Sequence, residues 1–313
     1  MTASFNDACS YNERHENKVA SPKNQSDELL LALLHHESLR CYQLNSDYLY
    51  SNDRIVTERC RRRICEWMYG ICDYLALNRD IVAIATFYVD RYFTLAYSAD
   101  TPITTRLHQL VALTSLFIAI KTHALTTRLH QLVALTSLFI AIKTHGELKH
   151  RDDDNQDRVD FNISFCAQLS RNQFTPKEIE ECEQSLLYAL DWHVNPVVPS
   201  CVIDALINYL PPSLRAESTY DATLYVYECS KHLSELIVSI PAMSIDHKPS
   251  VLAFASIMYA IEKCDSDLHP SFLQSEFQDT VQDATCDYFQ TEKEKIEYVV
   301  DVLRVTCPDL NGL

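Results

Sequence analysis

Asp153, Asp154 and Asp157 stand at i, i+1 and i+4 in the run DDNQD, a spacing that on a helix can hold Mg²⁺ against a diphosphate. The surrounding residues 146–160 (GELKHRDDDNQDRVD) are hydrophilic and mixed in charge, and no second metal motif follows them. The three carboxylates therefore read as part of a solvated loop. Asp90 poses a different problem. It sits inside an apolar pattern, and a buried carboxylate is costly without a partner; the basic run Arg59, Arg61, Arg62, Arg63 offers one. Lys121 and Lys143 each end an apolar stretch, where a solvated lysine complements the helix dipole. Glu183 lies near Glu178, Glu180 and Glu181, which read as a solvated face. His35-His36 and the duplicated histidines, His108 and His123 with their copies His130 and His145, lack ligand spacing and are expected at the surface.

Composition removes whole classes of chemistry. Of 313 residues only three are glycine, so no glycine-rich phosphate loop or dinucleotide fingerprint can form. The twelve cysteines show no CxxC and no paired Cys/His ligand spacing. They read as reduced thiols of a cytosolic or nuclear protein, several of them core fillers. No cofactor or metal is expected. The formal net charge of −16 argues against a nucleic-acid partner. The opening run is polar and lacks a secretion signal. The longest apolar runs are too short and too interrupted to span a bilayer, so no membrane partner is expected. Apolar residues make up 47%, which predicts a globular chain.

The elements that must hold these residues are helical. Residues 1–26 lack apolar periodicity and read as a flexible tail. Ser26-Asp27 can cap a short helix to about Leu39, with Leu29, Leu30, Leu33 and Leu34 spaced as helical neighbours. Arg54 to Leu75 carries a helical stripe, with Trp67 beside it, and Asn78 can cap Asp80 to Leu95. Then comes a repeat: residues 104–123 and 126–145 are the same twenty letters, TTRLHQLVALTSLFIAIKTH. Each copy is apolar nearly all round, as a helix buried on every side is. A continuous rod through both would run roughly 60 Å, too long for a compact domain, so two helices are expected. The first copy is favoured for the core, because the loop after the second can absorb an insertion. Thr175-Pro176 opens a helix carrying Ile179, Cys182, Leu186 and Leu190 and ending at Asp191-Trp192-His193. Five further helices are predicted near 202–210, 220–240, 249–264, 275–289 and 292–305. Ala134, Ser137 and Ala141 match Ala253, Ser256 and Ala260 at a constant offset of 119, so the second half reads as a divergent copy of the first.

These residues carry a family resemblance. Arg61-x-x-Ile64-Cys65-Glu66-Trp67-Met68, Tyr88-Val89-Asp90-Arg91-Tyr92-Phe93, Gln-Leu-Val-Ala-Leu…Ala-x-Lys and Glu183…Leu186-Leu187…Leu190-Asp191-Trp192 follow in the order of the N-terminal box of a cyclin. Asp47-Tyr48-Leu49 ahead of them resembles the D-type (G1) members. The second box is recognisable chiefly from Lys248-Pro249-Ser250 onward. The resemblance implies an all-α fold of two five-helix cyclin boxes in tandem, with a duplicated third helix in the first. The boxes are placed at 27–197, containing the duplication 104–145, and at 198–313. It further implies a buried structural pair of Arg61 and Asp90, and kinase binding by Lys121 or Lys143 with Glu183 and Leu187. The family often has Met before the arginine and an apolar residue two after it. Here these are Cys60 and Arg63, which leaves Ile64, Trp67 and Gln109 or Gln131 as a possible substrate-docking patch.

The implied function is a regulatory subunit, not an enzyme, that activates a cyclin-dependent serine/threonine kinase in cell-cycle control. Kinase substrates or inhibitors are further partners, and nucleus and cytoplasm the expected location. Two alternatives belong to other classes. The DDxxD at Asp153–Asp157 resembles the metal motif of all-helical isoprenoid synthases, but stands without a second motif. Cyclin-fold transcription factors use a similar double box on DNA, but would want a basic surface and an N-terminal zinc ribbon, and this chain is acidic with no ribbon.

Overall fold

The structure, a computed structural model, describes residues 25–50, 56–99, 101–124, 163–215, 220–264 and 269–308, and among these no strand occurs. The chain enters through α1 (Gln25–Glu37) and a single turn, α2 (Asp47–Tyr50). A first unit follows: α3 (Glu58–Tyr74), α4 (Asp80–Ser98), α5 (Thr105–Ala119), α6 (Ile163–Leu169) and α7 (Pro176–Ala189). Local chemistry fixes where these begin. The Thr57 and Thr104 side chains accept from the backbone N–H of Cys60 and Leu107. Thr175 and Glu178 form a capping box ahead of Pro176.

The first copy of the repeat fills the centre of this unit. Every residue from Val111 to Ile120 is buried, and α5 packs against α3, α4, α6 and α7. The second copy, with Lys143 and Gln131, lies outside the described residues, as does Asp153–Asp157. His108 corrects the expectation of surface histidines: it is 2% exposed, beside Phe93 at 5.1 Å between ring centroids. It lies on the buried side of α5, so its position on the helix outweighs its polarity. Helix α6 was not anticipated. It is short and joins Leu113, Phe117, Phe174 and Ile179 in a small satellite core through Cys166 and Ala167.

The second unit comprises α8 (Pro199–Leu206), α9 (Pro212–Arg215), α10 (Tyr220–Val238), α11 (Pro241–Ser244), α12 (Pro249–Lys263), α13 (Pro270–Thr285), α14 (Tyr288–Thr291) and α15 (Lys293–Thr306). Its centre is α12, buried without a break from Ser250 to Ile261 and packed by α8, α10, α13 and α15. Thus α5 and α12 hold comparable places; Ala134, Ser137 and Ala141 themselves lie outside the described residues, and their counterparts in the first copy are Ala112, Ser115 and Ala119, all buried. Small side chains there let neighbours approach closely. Helix α13 begins five residues before the expected Ser275, because Pro270 suits a first helical position and His269 caps it.

Helix α1 precedes the first unit in sequence but docks on the second. Leu30 and Leu34 join the core of α8, α10 and α12. Tyr209 donates to the Asp27 carboxylate at 2.6 Å, and the Glu37 carboxylate accepts from the Ser250 backbone N–H at 2.9 Å and from the Tyr288 hydroxyl at 2.7 Å. Glu37 thereby caps α12 from outside, where a carboxylate meets the positive end of the helix.

Candidate functional site

Arg61 of α3 and Asp90 of α4 meet in the interior, 1% and 2% exposed. The guanidinium forks onto the carboxylate, Nε to Oδ1 at 2.9 Å and Nη2 to Oδ2 at 2.7 Å. Its remaining donors cross to the second unit, Nη1 to the Val238 carbonyl at 2.7 Å and Nη2 to Ser244 Oγ at 3.0 Å. Tyr48 of α2 donates to Asp90 Oδ1 at 2.6 Å. The pair therefore joins five helices, α2, α3 and α4 with α10 and α11 of the second unit. Burial opposes the charge on Arg61, but Asp90 beside it holds the guanidinium firmly protonated. Burial, and then Asp90, push the Tyr48 hydroxyl well up. Of the four arginines offered by the basic run, the geometry selects Arg61. His108 stands near this pair; burial drives its imidazole down to about 4, with Asp90 opposing and Arg61 adding to the effect.

A second constellation is exposed. After α5 the chain widens into a π turn, Ile120–Ala124, which carries Lys121. The Lys121 ammonium reaches Glu183 Oε1 of α7 at 2.7 Å and lies 4.8 Å from the Phe117 ring centroid. The lysine is 45% exposed and the glutamate 17%, so the pair faces outward from a partly sheltered base. Leu187, half-buried, lies one turn beyond Glu183 on α7. Beneath them the Cys166 thiol is pushed up to about 12 by burial and then by Glu183.

Two residues beside this group were not singled out from the sequence. Tyr188 is 74% exposed and Trp192 62%, their rings edge to face at 6.2 Å. Trp192 stands out because Asp191 and Trp192 both take positive φ, 50° and 60°. Consecutive left-handed residues without glycine are strained. Bonds from the Asp191, Trp192 and His193 backbone N–H groups back to Tyr188, Leu187 and Leu190, each 3.0 Å, hold the turn. A helical wheel could have found Tyr188, which lies off the buried stripe Ile179, Cys182, Leu186.

The remaining candidates lie elsewhere. Ile64 and Trp67 are half-buried on α3, and Gln109 is exposed on α5, accepting from Gln173 at 3.0 Å. Trp67 borders both the main and the satellite core of the first unit. Among the described residues, no cluster of His, Cys, Asp or Glu could hold a metal ion, and no helix is long and apolar enough to cross a membrane. The described cysteines are free.

Comparison with known proteins follows the same outline. The family model described as "Cyclin, N-terminal domain" matches residues 30–195. The chain is 24% identical over 220 residues to Cyclin-D3-3 of Arabidopsis thaliana, covering 69% of this chain and 49% of the relative. It is 20% identical over 265 residues to the G1/S-specific cyclin-E of Caenorhabditis elegans, covering 81% and 44%. The chain therefore spans about half the length of the curated relatives it matches. In fold it is similar to a viral cyclin from herpesvirus saimiri, with a TM-score of 0.55 and 16% identity over 89% of this chain and 96% of that one.

Proposed function

The chain belongs to the cyclin family, and from that premise we propose that it is an activating subunit of a cyclin-dependent protein kinase, of G1 type, working in nucleus and cytoplasm. The observation that carries this reading is the outward-facing group of Lys121, Glu183 and Leu187, extended by Tyr188 and Trp192. It combines one charged pair with exposed aromatics, the composition of an interface centre. It stands on two helices packed into one core, so it is presented rigidly and little entropy is lost on docking. On a kinase, such a face receives the αC helix. Docking carries the αC glutamate to its ion pair with the catalytic lysine and helps position the activation loop. The chain's own residues bind and orient; they move no proton and make no bond.

Co-expression with a panel of cyclin-dependent kinases tests the proposal. One or more should co-purify and gain activity towards a peptide substrate. Absence of any stable pair across the panel would overturn it. Kinase substrates and inhibitors would then meet the bound pair, and a fluorescent fusion should distribute between nucleus and cytoplasm.

A further inference from the structure

The slot that α5 fills has two candidates in the chain. Residues 126–145 repeat residues 104–123 letter for letter. Every buried side chain of α5 therefore has an identical counterpart 22 positions on, and so has each polar group that fixes the helix in place. Thr104 accepts from the Leu107 N–H at 3.1 Å, Arg106 pairs Glu178 at 2.6 Å, Lys121 pairs Glu183 at 2.7 Å and the His123 ring meets the Val194 carbonyl at 3.2 Å. Thr126, Arg128, Lys143 and His145 carry the same groups at the same spacing. A close-packed core selects by side-chain shape, so it does not tell the two copies apart. Nor does solvent, since whichever copy stands outside, the same twenty letters stand outside.

Only the connections differ. In the observed register, residues 99–103 join α4 to the central helix and 125–162 lead on to α6. With the second copy in the slot these become 99–125 and 147–162. Loop-closure entropy rises only logarithmically with length, so on this ground the observed register is favoured by about fourfold. Pro102 fixes its own φ in the short connection and adds to the preference. The short connection also closes first during folding. At the helix entry the copies nearly agree: Ile103, packed on the first-unit core, gives way to Leu125. At the exit Ala124, the last residue of the π turn, gives way to Gly146. These differences are small beside the cost of a charge in the core.

We propose that residues 126–145 are a second occupant of the α5 slot, held in reserve, so that the first unit folds in either of two registers. In the second register Lys143 takes the place of Lys121 beside Glu183, and Arg128 that of Arg106. The same charged pair is rebuilt, but the chain that leaves it changes. In the observed register the copy from Thr126 onward follows directly on the π turn that carries Lys121. In the second, the hydrophilic run 146–160 follows, and the unused copy is tethered about 20 Å away at the other end of the helix. The register thereby sets which segment a partner meets beside the Lys–Glu pair. That last point rests on the kinase reading, whereas the exchange of copies rests on the slot and the repeat alone. An exposed ion pair is worth too little to reverse the order of the registers, so a change at Lys121 leaves the first copy in place.

The test uses the full chain, with a charge placed in one copy at a time, and no kinase enters the readout. Leu116 is 1% exposed in the slot, and Leu138 is its counterpart in the second copy. An aspartate at either position keeps that copy out of the core and gives its peptides a distinct mass. Melting is followed by tryptophan fluorescence, since both tryptophans, Trp67 and Trp192, lie in the first unit. Leu116→Asp should keep the cooperative transition, lowered by about 5 °C, and Leu138→Asp should leave it unchanged. Amide exchange read by mass spectrometry should show 126–145 protected and 104–123 open in Leu116→Asp, and the reverse in Leu138→Asp. The double variant Leu116→Asp/Leu138→Asp should lose the transition. Loss of the transition in Leu116→Asp alone overturns the proposal. So does a folded Leu116→Asp in which 104–123 stays protected, a Leu138→Asp that fails to fold, or a double variant that folds.

Discussion

Replacing Asp90 with alanine should be among the most damaging single changes in the first unit. Arg61 is 1% exposed and cannot shed its proton, so without Asp90 a full positive charge stays inside. Two charge-assisted bonds vanish, and the Tyr48 hydroxyl loses its acceptor. The bonds to the Val238 carbonyl and Ser244 remain, but neither group carries a compensating charge. Breaking a buried pair in this way costs about 3–5 kcal/mol. For a protein of this size that is a fall of about 10 °C in melting temperature. Denaturant unfolding followed by circular dichroism gives the free energy directly. Because Arg61 bridges the units, amide exchange should also quicken near 238–245 in the second unit. The double variant Arg61→Met/Asp90→Leu leaves no unpaired charge and should be less destabilised than Asp90→Ala alone. Two results would refute the reasoning. One is a loss below about 1 kcal/mol for Asp90→Ala. The other is a double variant that loses the full sum of its two single changes, which would mean the residues do not act as a pair.

The His108 imidazole, neutral in the fold with its pKa near 4, titrates at about 6.5 when unfolded. The unfolded chain thus binds the extra proton between those values. The stability from this group is complete above about pH 6.5 and is lost progressively as pH falls towards 4, by about 3 kcal/mol in all. A pH series of unfolding free energies on wild type and His108→Phe checks it; the variant should show a shallower acid limb. Deleting residues 124–145 removes one copy of the repeat and joins His123 to Gly146. Since the first copy fills the core, unfolding free energy should change by about 1 kcal/mol or less; deleting 102–123 instead leaves the same twenty letters joined to Gly146, with Ala124-Leu125 in place of Pro102-Ile103, and should fold alike. Trp192→Ala should leave stability within about 1 kcal/mol, because the ring is 62% exposed, yet weaken kinase binding by about 2 kcal/mol, roughly thirtyfold in dissociation constant by titration calorimetry.

The helices themselves were legible because their signals are local. Thr175-Pro176, Thr104 and the stripes of α4 and α12 each carry their boundary in a few residues. Arg61 and Asp90 were legible as well: a carboxylate inside an apolar pattern demands a partner, and a basic run was at hand. That Arg61 also reaches Val238 and Ser244 was not legible, because no periodicity records which backbone carbonyl faces a helix 177 residues away. The same holds for α1, whose Leu30 and Leu34 show that a face is buried but not against what. His108 was misplaced because its type outweighed its neighbours. Tyr188 carried no signal of its own, and Trp192 was read only as the end of a helix and a member of the motif; its exposure follows a turn with paired positive φ values that no periodicity records.

The claim that matters most is that Lys121, Glu183 and their aromatic neighbours form a kinase-docking face. The direct measurement is kinase activity and affinity for a kinase that co-purifies, with the reversals Lys121→Glu and Glu183→Lys made singly and together. The ion pair is partly exposed, so each reversal should cost about 1 kcal/mol of fold stability or less. Either single reversal should weaken kinase binding by about tenfold or more and abolish activation while the chain stays folded. Restoring the ion pair in the opposite sense, by combining the two, should recover stability but not binding, because the kinase meets the charges in the wrong places. Full binding and activation by the folded double reversal would contradict it.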